Sequence, residues 1–105
     1  MDLTLTEDQE LIRSTARDVL TGRAGTAGVE AVAGDPAGFS ADLWKEMVEL
    51  GWTGLAVPEE HGGVGEGFLE ACLLLEEMGA AQVPSPFLHT LVCGKTIERH
   101  GSADQ

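Results

Sequence analysis

The most apolar part of the chain spans residues 67–78, and it restricts the fold more than any other segment. Its apolar residues are Phe68, Leu69, Ala71, Cys72, Leu73, Leu74, Leu75 and Met78. In a helix these side chains cover far more than one third of the circumference, and a helix that is apolar almost all round must be covered on several sides. A chain of 105 residues buries only about two thirds of its unfolded surface. We therefore expect this helix to need cover from protein outside the chain.

Capping signals predict a first helix over residues 4–21. Thr6 followed by Gln9 is a capping box, in which each side chain can satisfy a backbone N–H group of the other residue. Gly22 is the predicted end of this helix. Residues 22–39 are rich in Gly and Ala, and we predict that they are mostly loop, with room for a short helix at 29–33.

A second helix is predicted from a capping residue and an apolar face. Ser40 is its expected N-cap, and the helix is expected to end at Gly51. Residues 52–57 are too short for a long helix, so they are interpreted as an extended or single-turn connector. Residues 58–63 combine Pro with paired Gly, which indicates a turn.

Two further helix boundaries follow from Gly and Pro. The apolar helix is expected to end at Gly79. The last long helix is expected to begin with Ser85 as cap and Pro86 as its first residue, and to be capped at its end by Gly101. The predicted fold class is therefore all-α: a small multi-helix domain with about four main helices and a Gly/Ala-rich loop after the first.

The last residues of the chain contain a further capping box. Ser102 and Gln105 have the required spacing, and Asp104 supplies the acidic first turn that a helix start favours. A helix start that no helix follows suggests truncation, so we interpret residues 1–105 as one N-terminal domain of a longer chain. The alternative interpretation is a polar, frayed tail.

The charge of the chain excludes several classes of function. Six Lys and Arg residues against 18 Asp and Glu residues give a net charge of −12. This charge repels a phosphate backbone and an anionic membrane surface, so neither nucleic acid nor membrane is an expected partner. The sequence has no apolar run near the ~20 residues of a spanning helix and no signal-peptide pattern. Together with only two cysteines, Cys72 and Cys93, these features favour a cytoplasmic location.

Two motifs resemble nucleotide-binding loops but lack essential residues. Residues 94–96 read Gly-Lys-Thr, like the end of a phosphate loop, but His89 stands where that loop needs its first Gly. The glycines of residues 62–67 resemble a dinucleotide fingerprint, yet Phe68 stands where its last Gly belongs and a turn precedes them. We therefore expect no nucleotide site at either motif.

The remaining candidates for chemistry are interpreted as structural residues. The histidines are well separated and lack metal-ligand spacing. Adjacent glutamates on a helix diverge by about 100°, so they are expected to be solvated or to form salt bridges rather than to act as an acid–base pair. These residues are His61, His89, His100, Glu59, Glu60, Glu76 and Glu77. We therefore predict no catalytic, cofactor-binding or metal-binding residue in this chain.

The stretch over residues 43–65 resembles the N-terminal helical domain of flavin-dependent acyl-CoA dehydrogenases. In that family an amphipathic helix ends in Leu-Gly and is followed by G-L-x-x-P-E-E-x-G-G-x-G, which is present here from Gly54 to Gly65. A buried helix ending in E-x-G follows, as at residues 77–79, and G-[ST]-x-x-Q opens the next helix, as at residues 101–105. The resemblance covers nearly the whole chain, although the Gly/Ala-rich residues 22–38 depart from the more charged segment of the family.

The resemblance implies an enzyme whose active site lies mostly outside this chain. Members of the family oxidise an acyl-CoA thioester between its α and β carbons, passing a hydride to FAD and a proton to a glutamate. The resemblance implies that most of the flavin site, and the glutamate, lie beyond the N-terminal domain. The chain alone is thus expected to be inactive and not to bind FAD. The intact enzyme is expected to form oligomers and to have acyl-CoA and an electron-transfer flavoprotein as partners.

The resemblance also implies that the N-terminal domain contributes to the acyl-chain pocket. The contribution comes from the start of the helix after the E-x-G ending, and the candidate wall residues are Pro84, Phe87, Leu88 and Leu91. The alternative for each residue is ordinary packing against a neighbouring helix. An alternative for the whole chain is a stand-alone, non-enzymatic helical module that binds a partner through its apolar helix at 68–78.

Overall fold

The computed structural model describes residues 3–21 and 25–105, with side chains described from residue 28 in the second range. Over these residues the structure is helical and contains no strand, which confirms the all-α prediction. Five α-helices are connected by turns, two of which are short 3₁₀ turns at Trp52–Gly54 and Glu59–His61. The helices are α1 (Glu7–Leu20), α2 (Gly25–Ala33), α3 (Ala41–Glu49), α4 (Phe68–Ala80) and α5 (Phe87–His100).

The predicted capping box starts α1. The backbone N–H of Gln9 donates to Oγ1 of Thr6 at 3.2 Å, and the backbone N–H of Thr6 donates to Oε1 of Gln9 at 2.9 Å. Both contacts satisfy amide groups that would otherwise lack a partner at the start of the helix. The helix ends at Leu20, and the predicted stop at Gly22 lies outside the described residues.

The Gly/Ala-rich segment contains a longer helix than the sequence predicts. We expect mostly loop at residues 22–39, but α2 spans Gly25–Ala33. Glycines cost about 1 kcal/mol each relative to Ala within a helix, which is why the segment has a weak helical pattern. The helix nevertheless has nine residues, which is about two and a half turns. A turn follows, in which Gly38 has a φ of +75°.

Ser40 caps α3 as predicted, because its Oγ accepts a hydrogen bond from the backbone N–H of Leu43 at 3.2 Å. The helix ends at Glu49, and Gly51 takes the left-handed conformation with a φ of +80°. Of the two alternatives for residues 52–57, the single turn is confirmed, as a 3₁₀ turn at Trp52–Gly54.

Two predictions about α4 are wrong. The helix continues through Gly79 to Ala80, and the turn after it is made by Gln82 at a φ of 54°. The expectation that the helix needs cover from outside the chain also fails over most of its length. Only two of its large apolar side chains, Phe68 and Leu69, are exposed. One reason is that α1 lies along the helix, and another is that several of its residues pack in or against the core cluster: Ala71, Leu74, Leu75 and Met78.

The last helix begins slightly later than predicted. Pro86 is the N-cap residue rather than the first helical residue, and Oγ of Ser85 accepts from the backbone N–H of Phe87 at 3.3 Å. Gly101 is the C-cap residue, as predicted, and its backbone N–H donates to the carbonyl of Ile97 at 2.7 Å.

One hydrophobic core joins α1, α3, α4, α5 and the connector between α3 and α4. Buried side chains from each of these elements pack together in it. The core residues are Ala16, Leu20, Leu43, Met47, Trp52, Leu55, Ala56, Ala71, Leu74, Met78, Phe87 and Leu91. The connector motif is thus integrated in the core rather than lying on its surface.

Candidate functional site

The connector between α3 and α4 folds back on itself. Its second half donates three backbone hydrogen bonds of 2.9 Å to its first half: Val64 to the Gly54 carbonyl, Glu66 to the Leu55 carbonyl and Gly65 to the Val57 carbonyl. The N–H of Gly63 donates to the Pro58 carbonyl at 3.1 Å. The backbone N–H groups of all four residues from 63 to 66 are therefore already bound to carbonyls.

This hydrogen bonding decides what the glycines of the connector can do. A phosphate-binding loop presents unpaired backbone N–H groups to the anion, and residues 63–66 have none to present. Instead, a Cβ added at Gly63 would lie 2.1 Å from the carbonyl oxygen of Val57, and Gly62 and Gly65 both have a φ of +84°. The glycines are required by the turn itself, so this loop does not fit the phosphates of a flavin.

The Gly-Lys-Thr tripeptide is also structural. It lies inside α5, where Nζ of Lys95 donates to the carbonyl of Ala56 at 3.3 Å and pairs with the carboxylate of Glu98. This contact ties α5 to the connector. The lysine is therefore not available to a phosphate group.

Two salt bridges to one buried glutamate connect α1 to α4. The side chain of Glu77 is 7% exposed, and its two oxygens accept from Nε of Arg13 at 3.2 Å and Nε of Arg17 at 3.0 Å. Near the starts of the same helices, Nε2 of Gln9 donates to Oε1 of Glu70 at 3.0 Å. The first turns of α1 and α4 are therefore in contact with each other, and so are their later turns. The two helices thus run side by side in the same direction.

These contacts shift three pKa values. The hydrogen bond from Arg17, followed by that from Arg13, lowers the pKa of Glu77 against the opposing effect of its burial. The same pair raises the pKa of Arg17, and the hydrogen bond from Gln9 lowers the pKa of Glu70. All three shifts favour the charged forms, so these groups stabilise the fold as ions and are not poised to exchange a proton near neutral pH.

We expect Glu77→Gln to reduce stability by about 2 kcal/mol near neutral pH, since it removes the negative charge between two guanidinium groups and replaces one of the two accepting oxygens by an NH₂ group. The pKa of Glu77 is lower in the folded state, so its contribution is full above the ordinary glutamate pKa of 4.5 and is lost as the pH falls through the folded value. Urea unfolding at a series of pH values from neutral to below the folded pKa measures this. The unfolding free energies of wild type and variant should become equal at the acid end of the series. Glu76→Gln, at an exposed neighbour, is the control; an equal loss in both variants would contradict this role of Glu77.

The other acidic and histidine candidates do not assemble a site. Glu59, Glu60 and Glu76 are exposed, and His61 lies 3.7 Å from the carboxylate of Glu60 at the surface. Among the residues that the structure describes, no group of three or more His, Cys, Asp or Glu side chains could hold a metal ion. Within the same residues, no helix is both long enough and apolar enough to cross a membrane.

The four candidate pocket residues divide into two pairs. Phe87 and Leu91 are 1% and 5% exposed and belong to the core. Leu88 is 51% exposed, and Pro84 is half-buried at the edge of an open cleft. The structure thus places only Leu88 and Pro84 where a ligand could contact them without displacing the core.

Sequence reasoning missed one accessible residue of the same helix face. Val92 is 57% exposed and follows Leu88 by four residues in α5, so the two side chains share a face. The i, i+4 spacing of two apolar residues was the available signal. For Glu77, the salt-bridge alternative is confirmed, but its partners could not be predicted locally, since the two arginines lie 60 and 64 residues earlier in the chain.

The fold and its contacts define a class of protein: an all-α domain built on a glycine-rich connector, with no assembled catalytic group among its described residues. Residues 6–105 match the family model described as acyl-CoA dehydrogenase, N-terminal domain. The chain belongs to the acyl-CoA dehydrogenase family, of which it carries the N-terminal domain. The resemblance carried by the connector is thereby confirmed.

Known proteins of this family are similar over most of the chain. Acyl-CoA dehydrogenase IpdE2 of Mycobacterium tuberculosis is 35% identical over 89 residues, which are 84% of this chain and 28% of that protein. A solved steroid ACAD, Tcur3481-Tcur3483, is 36% identical with a TM-score of 0.86 over 96% of this chain and 28% of its own. The ChsE4-ChsE5 complex of Mycobacterium tuberculosis has the same fold at 24% identity, with a TM-score of 0.86 over 99% of this chain and 29% of its own.

Proposed function

We propose that the intact protein is an FAD-dependent acyl-CoA dehydrogenase of lipid metabolism, acting in the cytoplasm. It would convert an acyl-CoA thioester to the α,β-unsaturated thioester, with the α hydrogen leaving as a proton and the β hydrogen as a hydride to FAD. The family match over residues 6–105 carries this proposal. This chain spans 28% of the length of IpdE2, so the flavin site and the catalytic base are assigned to the remainder of the protein.

Within that enzyme, the role of this chain is to form part of the acyl-chain pocket. Exposure favours Leu88 as a direct wall residue, and half-buried Pro84 lies in the segment that leads into α5. Phe87 and Leu91 are buried in the core. They would therefore act on the pocket by fixing the position of α5, and Leu88 would be the residue of the four that contacts the acyl chain most directly.

The partners of the intact enzyme follow from the same proposal. They would be an acyl-CoA substrate and an electron-transfer flavoprotein that removes the electrons. An oligomeric enzyme is supported by the similar solved structures, one of which is a complex of two named components. The apolar side chains that α5 leaves exposed, Leu88, Val92 and Ile97, provide surface for contacts beyond this chain.

The test uses the complete gene product, purified from its source cell. We expect a flavin absorption spectrum that is bleached by an acyl-CoA under anaerobic conditions and restored by an electron acceptor. The control is free coenzyme A, which has no α,β C–H bonds to oxidise. A colourless protein with a mass near 11.0 kDa would instead support the alternative of a non-enzymatic interaction module.

A further inference from the structure

Lys95 of α5 is hydrogen-bonded to a buried residue of the connector. Its Nζ donates to the carbonyl of Ala56 at 3.3 Å, and Ala56 is only 6% exposed. The carbonyls on either side, those of Leu55 and Val57, accept backbone N–H groups from the second half of the connector. Because a buried carbonyl without a partner destabilises a fold, Lys95 completes the hydrogen bonding of the connector from a different helix.

A carboxylate of the same helix holds the lysine in this position. Glu98 lies three residues after Lys95, and its carboxylate accepts from Nζ. The two side chains are 24% and 23% exposed, so the pair is largely shielded from water and is screened by salt less than a surface pair would be. The ammonium group therefore has two acceptors, one in α5 and one in the connector.

The two halves of α5 are held in place in different ways. Its buried residues, Phe87 and Leu91, both lie in the first half. Among the described residues, none after Leu91 in this helix belongs to the core cluster. Gly94 separates the two halves, and glycine lowers the intrinsic stability of a helix. We therefore expect residues 94–100 to be held against the domain mainly by the contacts of Lys95.

We propose that Lys95 is a positioning residue for the exposed apolar face that Leu88 and Val92 form on α5. Lys95 follows Leu88 by seven residues and Val92 by three, so all three lie on one side of the helix. Its ammonium group is bound to the connector, so the connector sets the position of this face. The effect on activity rests on the proposed function, in which Leu88 contacts the acyl chain, whereas the structural effect does not.

The test is Lys95→Met in the holoenzyme from the complete gene, since methionine has a similar length but no donor. Hydrogen exchange of the backbone amides of residues 94–100, measured by mass spectrometry, should be about tenfold faster, a factor that corresponds to the loss of a hydrogen bond from a charged group. The exchange of residues 87–91 should stay as in the wild type. KM for hexadecanoyl-CoA should rise severalfold with kcat unchanged, because a displaced wall weakens binding without touching the reacting atoms.

Three further variants serve as controls. Lys45→Met removes an exposed lysine of α3 and should change neither exchange nor KM. Adding Gly94→Ala to Lys95→Met should slow the exchange of residues 94–100 again, since alanine favours the helix and its Cβ meets no atom within 4 Å. Glu98→Gln weakens the same contact from its other side and should give a smaller increase. It decides the question if Lys95→Met yields no holoenzyme.

The possible results separate the positioning role from the proposed function. Unchanged exchange over residues 94–100 in both Lys95→Met and Glu98→Gln would overturn the positioning role, and so would an equal acceleration along all of α5. Faster exchange with an unchanged KM would overturn the link between Lys95 and the apolar face. If no acyl-CoA reduces the flavin of the wild-type holoenzyme, the proposed function fails, but the exchange measurement still decides whether Lys95 fixes the second half of α5.

Discussion

Replacing Gly63 by Ala should destabilise the protein by about 3 kcal/mol, the upper part of the range for overpacked sites. The added Cβ would meet the carbonyl oxygen of Val57 at 2.1 Å and its Cβ at 2.6 Å. A flexible side chain could rotate away from such a contact, but a backbone carbonyl can move only with the connector. The N–H of Gly65 is hydrogen-bonded to that same carbonyl, so the movement would also weaken the hydrogen bonds between the two halves of the connector.

Two control substitutions separate steric clash from other effects of glycine. At Gly62, a Cβ meets no atom within 4 Å but the φ is +84°, so Gly62→Ala should cost about 1 kcal/mol for the left-handed conformation alone. At Gly79, inside α4, nothing lies within 4 Å of the added Cβ, and Ala should stabilise the helix by up to about 1 kcal/mol. Urea unfolding of the three variants should give this order, and a Gly63→Ala loss no larger than that of Gly62→Ala would contradict the steric explanation.

Local signals in the sequence predicted the parts of the fold that depend on neighbouring residues. The caps at Thr6 and Ser40 were correct because the atoms that form each cap lie within three residues of each other. The turn at 58–63 was also indicated, because Pro fixes φ and Gly permits positive φ whatever the distant contacts are. The requirement for glycine at position 63 could not be predicted from neighbouring residues, since it depends on how closely Val57 approaches after the connector folds back.

The errors occurred where tertiary contacts decide the outcome. Gly79 was expected to stop α4, but its φ is not in the left-handed region and the helix continues to Ala80. The expected exposed surface of α4 depended on a count of apolar residues, whereas burial depends on which helix lies beside it. Glu77 shows the same limit, because its pairing with Arg17 joins residues 60 positions apart, a distance that no local pattern can predict.

The burial of each candidate pocket residue in α5 depends on its angular position around the helix. Neighbouring positions in a helix are separated by about 100°, so Phe87 and Leu88 cannot face the same surface. Residues four positions apart can, which explains why Phe87 and Leu91 share the core while Leu88 shares the exposed face with Val92. The sequence identified four candidate residues in one segment, but which of them face the core could be decided only from the structure.

The difference in burial between Phe87 and Leu88 leads to the second large effect that we expect. Phe87→Ala should destabilise the protein by about 3–5 kcal/mol, since Phe87 is 1% exposed and its loss leaves a cavity in a close-packed core. Leu88→Ala should change stability by no more than about 0.5 kcal/mol, because the side chain is 51% exposed and surface substitutions rarely cost more. Urea unfolding of the 105-residue chain measures both values.

The effects of the two substitutions on chain-length specificity should be the reverse of their effects on stability, with the larger change in Leu88→Ala. If Leu88 forms the wall of the acyl pocket, Leu88→Ala should shift the ratio of kcat/KM for long and short acyl-CoA substrates while leaving the unfolding transition in place. Phe87→Ala, assayed at a temperature where it remains folded, should lower kcat/KM for all chain lengths together, since it disturbs the position of α5 rather than one part of the pocket. A Leu88→Ala enzyme with unchanged specificity constants across acyl lengths would remove Leu88 from the wall, and α5 would then be a packing element alone.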